Sequence, residues 1–333
     1  GGRRELRLRD DIALALERER EPTGERLRVR RAGFALDAEP VLRESGLSVV
    51  LRARAFDLDA WRAVLDDGEL ERLERTAQGA AAGMSLVPDL VSVVADDLRV
   101  AGRDLHEVVI GASRADGRWR ANVASREIEG HFEWRDARPG ERAGTLVARF
   151  ARLVLPRSRE SEVESALSTS PGTLPALDVV VEDLTLGTLP MGRLTLAATN
   201  GGTAEQPVWR LDRLVVVNPA ARLEAQGAWS FAGTPRARPG VPTAALGNDP
   251  PGAAPRGDDG RSTRLDFQLE LRDAGQLLDR MRVHDTVDGA AGTLSGNVRW
   301  RGSPLGIDYP TLDGEVDRRG RALFLSTPNG LIW

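Results

Sequence analysis

The strongest constraint in this chain is a two-residue alternation of apolar and polar side chains that returns with the same landmark. Residues 127–135 read EIEGHFEWR, residues 222–229 RLEAQGAW, and residues 293–301 TLSGNVRWR. Ile128, Gly130, Phe132 and Trp134 fall on one side of the first; Leu223, Ala225, Gly227 and Trp229, then Leu294, Gly296, Val298 and Trp300, repeat the arrangement. Successive side chains of an extended chain point to opposite faces, so this pattern makes strands with one buried side. The cleanest case, RLDFQLELRD at 264–273, sets Leu265, Phe267, Leu269 and Leu271 against Asp266, Gln268, Glu270 and Arg272. Weaker versions recur along the chain, giving about eighteen strands and few helices.

A longer repeat underlies the short one. VPDLVSVVADDLRVAGRDLHEVVIGAS at 87–113 aligns with LPALDVVVEDLTLGTLPMGRLTLAAT at 174–199. Each copy then passes through a tryptophan-arginine pair, Trp119-Arg120 or Trp209-Arg210, into the Gly/Ala-and-Trp strand. The unit reads as a meander of strands joined by tight glycine turns such as Gly102 and Gly187. Two short amphipathic helices interrupt it. FDLDAWRAVLDD starts at Asp57 or Asp59, and RDAGQLLDRM, spanning 273–281, starts at Asp273.

The resulting division is β-repeats over 1–231, a Pro/Gly-rich insertion over 232–263 carrying six of the 19 prolines, continued strands over 264–316, and an irregular tail over 317–333. The opening GGRRELRLRDD is already strand-like and has no initiator methionine, which reads as the interior of a longer protein.

Composition excludes several classes. With 41% hydrophobic and 29% charged residues the chain is neither wholly disordered nor collagen-like. No run approaches the roughly 18 to 20 apolar residues of a membrane-spanning helix. The basic residues are all arginine, but a net charge of −4 argues against nucleic acid as a partner. Without cysteine there are no disulfides or thiolate metal sites.

Motifs for chemistry are equally thin. His106, His131 and His284 lack ligand spacing, so no metal or other cofactor is expected. GTLPMGRL at 187–194 outlines a phosphate loop but places Arg193 and Leu194 where its lysine and hydroxyl belong. Ser125 and Ser295 lie in no nucleophile elbow. The acid pairs Asp96-Asp97 and Glu182-Asp183 recur, yet alternation sends neighbours to opposite faces and leaves no converging carboxylates. No catalytic residue is expected. For the recurring tryptophans two accounts stand level: a large ring packed beside a small gap, or a face that meets something other than protein.

The segments LPALDVVVEDLTLGTLPMGRLTLAATN, WRLDRLVVVNPAARLEAQGAW, TRLDFQLELRDAGQLLDRM and GTLSGNVRWRGSPLGIDYPTLDGEV, in that order, resemble the C-terminal part of the YhdP family, within the AsmA-like superfamily that includes TamB. The resemblance implies a mainly β protein whose long curved antiparallel sheet forms an open groove. It further implies the periplasmic portion of an inner-membrane-anchored protein that moves phospholipid toward the outer membrane, with membrane proteins at both ends as partners.

Physical reasoning fits this. Exposing an acyl chain of about sixteen methylenes costs roughly 13 kcal/mol, at about 0.8 kcal/mol each. An apolar trough removes most of that cost and leaves the headgroup in water, with no headgroup motif needed. About eighteen strands spaced about 4.8 Å apart would line roughly 85 Å. The residues expected to line it are Ile128, Phe132, Trp134, Leu223, Trp229, Leu265, Phe267, Leu269, Leu271, Val298 and Trp300. A TamB-like assembly scaffold for outer-membrane proteins, with a closed core, is the rival. A carbohydrate-active enzyme is the more distant third, lacking paired carboxylates.

Overall fold

The computed structural model describes residues 2–8, 11–20, 27–64, 87–100, 102–155, 172, 174–203, 206–231, 261–273, 291–304 and 308–320. The chain is mainly β and divides into two compact units, one of residues 1–136 and 147–154, the other of residues 137–146 and 155–333. Beyond Asp273, the helix expected over 273–281 lies outside the described residues, as does His284.

The first unit is an open sheet whose strands follow one another in chain order. They are β1 (Gly2–Leu8), β2 (Ile12–Arg20), β3 (Leu27–Leu36), β4 (Gly46–Asp57), β5 (Leu90–Val100), β6 (Arg103–Ala115), β7 (Arg118–Ala124), β8 (Ile128–Arg135) and the greater part of β9 (Thr145–Leu155). One helix, α1 (Leu58–Val64), follows β4, and the Asp57 carboxylate accepts the Ala60 backbone N–H at 2.8 Å. That makes Asp57 the cap, one of the two positions the sequence offered.

The antiparallel expectation fails at two places: β3 pairs parallel with β4, and β4 parallel with β5. Parallel neighbours need a crossover, usually a long one. Between β3 and β4 the crossover is only residues 37–45, which return across the face that carries Ala13, Ala15, Gly33, Ala35 and Ser48. These side chains are small for that reason. A Cβ on Gly33 would stand 2.5 Å from the Val41 carbonyl oxygen, and the Ser48 hydroxyl donates to that same carbonyl. Arg31 joins the strap to the sheet, donating to Glu17 at 2.8 Å and to the Arg43 carbonyl at 3.0 Å. On the opposite face Ile12, Leu14, Leu16, Phe34, Leu36 and Val49 are large and only half-buried.

In the second unit the strands again follow one another in chain order. Its strands are β10 (Ala176–Leu186), β11 (Leu189–Gly202), β12 (Pro207–Val217), β13 (Ala221–Phe231), β14 (Arg261–Leu271), β15 (Gly292–Arg301) and β16 (Asp313–Gly320), every neighbour antiparallel. β13 and β14 pair directly from Ala221↔Leu271 to Phe231↔Arg261, so the proline-rich stretch between them interrupts the sheet without ending it. β14 begins at Arg261, inside the span read as insertion, and β16 runs to Gly320, past the expected decay at 316.

The recurring acid pairs sit in irregularities of the strands. In β5, Ala95 and Leu98 both belong to the buried cluster of the first unit while Asp96 and Asp97 between them are both exposed; in β10, buried Val181 and Leu184 flank exposed Glu182 and Asp183. Leu211 and Leu214 in β12 flank Asp212-Arg213 the same way, with register shifts beside both the β10 and β12 pairs. In β10 and β12 a bulge takes two residues where one would alternate, so Glu182-Asp183 and Asp212-Arg213 each emerge on the polar side rather than being split across the sheet, whereas β5 keeps its register with β6 from Ala95↔Val108 to Asp97↔His106. Bulges also bend their strands, which supplies the curvature.

Candidate functional site

Register assembles the second unit's apolar face row by row. Val216, Leu223, Leu269 and Leu294 stand opposite one another across β12 to β15. Beside them run Leu214, Ala225, Phe267 and Gly296, then Leu211, Gly227, Leu265 and Val298, then Trp209, Trp229, Thr263 and Trp300. Leu177, Val179, Leu194 and Leu196 continue the same face on β10 and β11. In the first unit Trp119↔Trp134, Ala121↔Phe132 and Val123↔Gly130 are paired on one face, beyond which Ile128 packs against the cluster of Ala95, Leu98, Leu105 and Val108.

Every residue expected to line a groove therefore lies on the apolar face of its own unit. Nine are half-buried: Ile128, Phe132, Trp134, Leu223, Leu265, Phe267, Leu269, Leu271 and Val298. Trp229 and Trp300 are buried, at 1% and 5% exposure. A face sealed by a second protein layer would bury such leucines and phenylalanines fully, as happens to Leu98 and Leu105, against which Leu58 of α1 packs; the nine residues just named are not covered in that way.

The repeated motif now has a cause. The tryptophan of each tryptophan-arginine pair stands opposite the tryptophan of the next strand, Trp119↔Trp134 and Trp209↔Trp229, a cross-strand pairing that ties neighbouring strands. The glycine answers a different need from the one expected. A Cβ on Gly130, Gly227 or Gly296 would lie 2.3, 2.3 or 2.4 Å from the carbonyl oxygen of Arg149, Arg264 or Glu315 on the adjoining strand. At Gly227 and Gly296 the small residue admits a neighbouring backbone, and at Gly130 it admits both the backbone and the Phe150 ring, whose Cδ1 would lie 2.9 Å from such a Cβ.

The opposite face is ionic. Arg120 meets Glu133 at 3.0 Å, Arg152 meets Glu129 at 3.3 Å, and Arg193 meets Glu182 at 3.3 Å; Arg299 pairs with Asp313. Such exposed pairs add little stability each, but they assign this face to water. A concavity of about 490 Å³ in the second unit also lies on this side, walled by Glu224, Gln226, Asp266, Gln268 and Asn297, and its polar lining does not suit hydrocarbon.

Opposite Asp97 in the first unit, His106 shares a hydrogen bond at Nδ1 with Glu127 at 2.7 Å and faces Asp97 at 3.8 Å. The Glu127 hydrogen bond holds the imidazolium above its usual range. Burial pushes the Glu127 carboxyl up, but hydrogen bonds from the His106 backbone N–H and ring outweigh this and hold it down. A histidine with a raised folded-state value contributes stability that is complete below the unfolded value, about pH 6.5, and is lost as pH rises through the folded one. Thermal unfolding of the first unit is thus expected at a lower temperature at about pH 8 than at about pH 6. His106→Gln should flatten that dependence, and an unchanged slope would contradict the assignment.

Among the described residues no three His, Cys, Asp or Glu side chains are grouped to hold a metal ion, and no helix is long and apolar enough to cross a membrane. The family model described as YhdP protein matches residues 2–330. The chain belongs to the YhdP family. No curated protein and no solved structure matches it. The YhdP match runs through both units, the strap of residues 37–45 and the stretch between β13 and β14.

Sequence reasoning missed part of the face. Leu177, Val179, Val181, Leu194, Leu196, Leu211, Leu214 and Val216 belong to it, but the bulges at 182–183 and 212–213 shift the two-residue period and hide their common side. Trp119 and Trp209 were visible as motif residues, and only register shows that they share a face with Trp134 and Trp229.

Proposed function

We propose that this YhdP-family chain is a non-enzymatic carrier of phospholipid, its apolar face covered by acyl chains while headgroups remain in water. It would act in the periplasm of a Gram-negative bacterium, as part of a protein anchored in the inner membrane, and pass lipid toward the outer membrane. The observation that carries this reading is the pairing of an ionic face with a broad apolar face whose leucines and Phe267 stay half-exposed. Soluble monomers rarely expose contiguous apolar patches beyond a few hundred Å² unless something binds there. Hydrocarbon suits the face because it asks for no hydrogen bonds, and alternating leucine, valine and glycine offer none.

A scaffold with a dry core makes the opposite prediction about content. Native mass spectrometry of the full-length protein, gently extracted, is expected to reveal species carrying one or more phospholipid masses. Protein that is lipid-free under conditions that preserve other lipid carriers would favour the scaffold.

A further inference from the structure

On the first unit's apolar face β2 ends in a cation that the protein leaves unpaired. Ile12, Leu14, Leu16 and Arg18 follow one another on one side of the strand, and β1 pairs with this stretch without a register shift, so the alternation holds through to Arg18. Phe34 and Val29 of β3 stand opposite Leu14 and Arg18, and the register sets Arg4 of β1 opposite Leu16. Residues 17–20 read ERER, and the alternation sorts their charges. Glu17 and Glu19 fall on the other side, where Glu17 accepts from Arg31 at 2.8 Å and Glu19 faces Arg30 at 3.9 Å. Arg18 has no such partner. Among the described residues no carboxylate or carbonyl pairs with its guanidinium, and its Nε is buried without an acceptor. The side chain as a whole is only half-buried, so a ligand lying on that face can reach it. A cation set against apolar surface is normally neutralised by a partner, because it gives up hydration there.

We infer that Arg18 binds the phosphate of a phospholipid whose acyl chain lies along β2 and β3 over Leu16, Leu14 and Ile12. The inference rests on the lipid reading above and adds where a headgroup is held. The free charge calls for an anion and the adjoining leucines for hydrocarbon; a phospholipid carries both. The lengths agree. From Ile12 to Arg18 the strand spans about 20 Å at about 3.3 Å per residue, while the acyl chains of one leaflet cover about 15 Å, half of a bilayer's hydrocarbon core, which leaves about 5 Å for the glycerol. A guanidinium also suits phosphate in shape, since it can offer two parallel N–H donors.

The test places a photoreactive phenylalanine analogue at Leu14 of the full-length protein and offers phosphatidylcholine vesicles doped with the diacylglycerol of the same chains, which lacks the phosphate. Captured lipid is identified by mass spectrometry. The captured ratio of phospholipid to diacylglycerol is expected to exceed the vesicle ratio about tenfold, the size of one hydrogen bond to a charged group. Arg18→Gln should bring it close to the vesicle ratio, whereas Arg18→Lys, which keeps the charge, should retain most of the enrichment. Excess inorganic phosphate should leave it in place, because the lipid is held by its chains as well. Capture without enrichment, an enrichment unchanged in Arg18→Gln, or one abolished by inorganic phosphate would overturn the inference and leave the lipid reading standing, as would capture of lipid by a probe at Phe267 but none at Leu14. Capture of no lipid at either position would overturn both.

Discussion

Replacing Phe267 by glutamate is expected to cut lipid transfer between vesicles by the full-length protein at least tenfold, while Gln268→Glu changes it less than about twofold. Phe267 lies in the middle of the second unit's apolar face, between Ala225 and Gly296 on the adjoining strands, and Gln268 emerges one residue later on the polar side. A carboxylate there keeps its water, because stripping an ion of hydration costs several kcal/mol. A passing acyl chain would have to leave the surface over that stretch, and each methylene exposed costs about 0.8 kcal/mol. Two methylenes already exceed the roughly 1.4 kcal/mol that corresponds to tenfold. Phe267→Ala removes the ring without adding charge and should retain most of the transfer. If Phe267→Glu and Gln268→Glu behaved alike in folded protein, the apolar face would not be the path.

The second large effect concerns the fold. Gly227→Val is expected to destabilise the protein by about 3 kcal/mol, read from chemical unfolding, since overpacking costs about 1–3 kcal/mol or more. The first added carbon would fall 2.3 Å from the Arg264 carbonyl oxygen and 3.2 Å from the Leu265 Cα, so β13 and β14 must separate. Gly296→Val should behave the same way against Glu315 on β16. Gln226→Val, one residue away on the exposed polar face, should stay within about 0.5 kcal/mol. Equal costs at 226 and 227 would show that the glycine is not there to admit the neighbouring strand.

Much of this architecture is legible in the sequence because alternation is a local property. Leu265, Phe267, Leu269 and Leu271 alternate without interruption, and their shared face follows from strand geometry alone. What the sequence hides is whatever depends on a neighbour. Gly33 and Ser48 read as unremarkable strand residues until residues 37–45 cross above them, and a connection that short gives no sign that β3 and β4 run parallel. Glu182-Asp183 reads as a split pair, since a bulge breaks the two-residue period without leaving a residue type of its own, and the joint exposure of Asp96-Asp97 has no mark in the residue types either. The motif glycines were visible as a repeat, but the carbonyl oxygens that require them belong to the strand alongside. Alternation places the tryptophans on the apolar face, whereas the burial of Trp229 and Trp300 depends on what packs around them.

The central claim is that hydrocarbon, not polypeptide, covers the apolar face. A photoreactive phenylalanine analogue placed at Phe267, or at Gln268, in full-length protein made in cells tests it most directly. Capture of phospholipid at 267 and none at 268 is the expected result. Equal capture at the two positions, or capture of protein alone at 267, would contradict it.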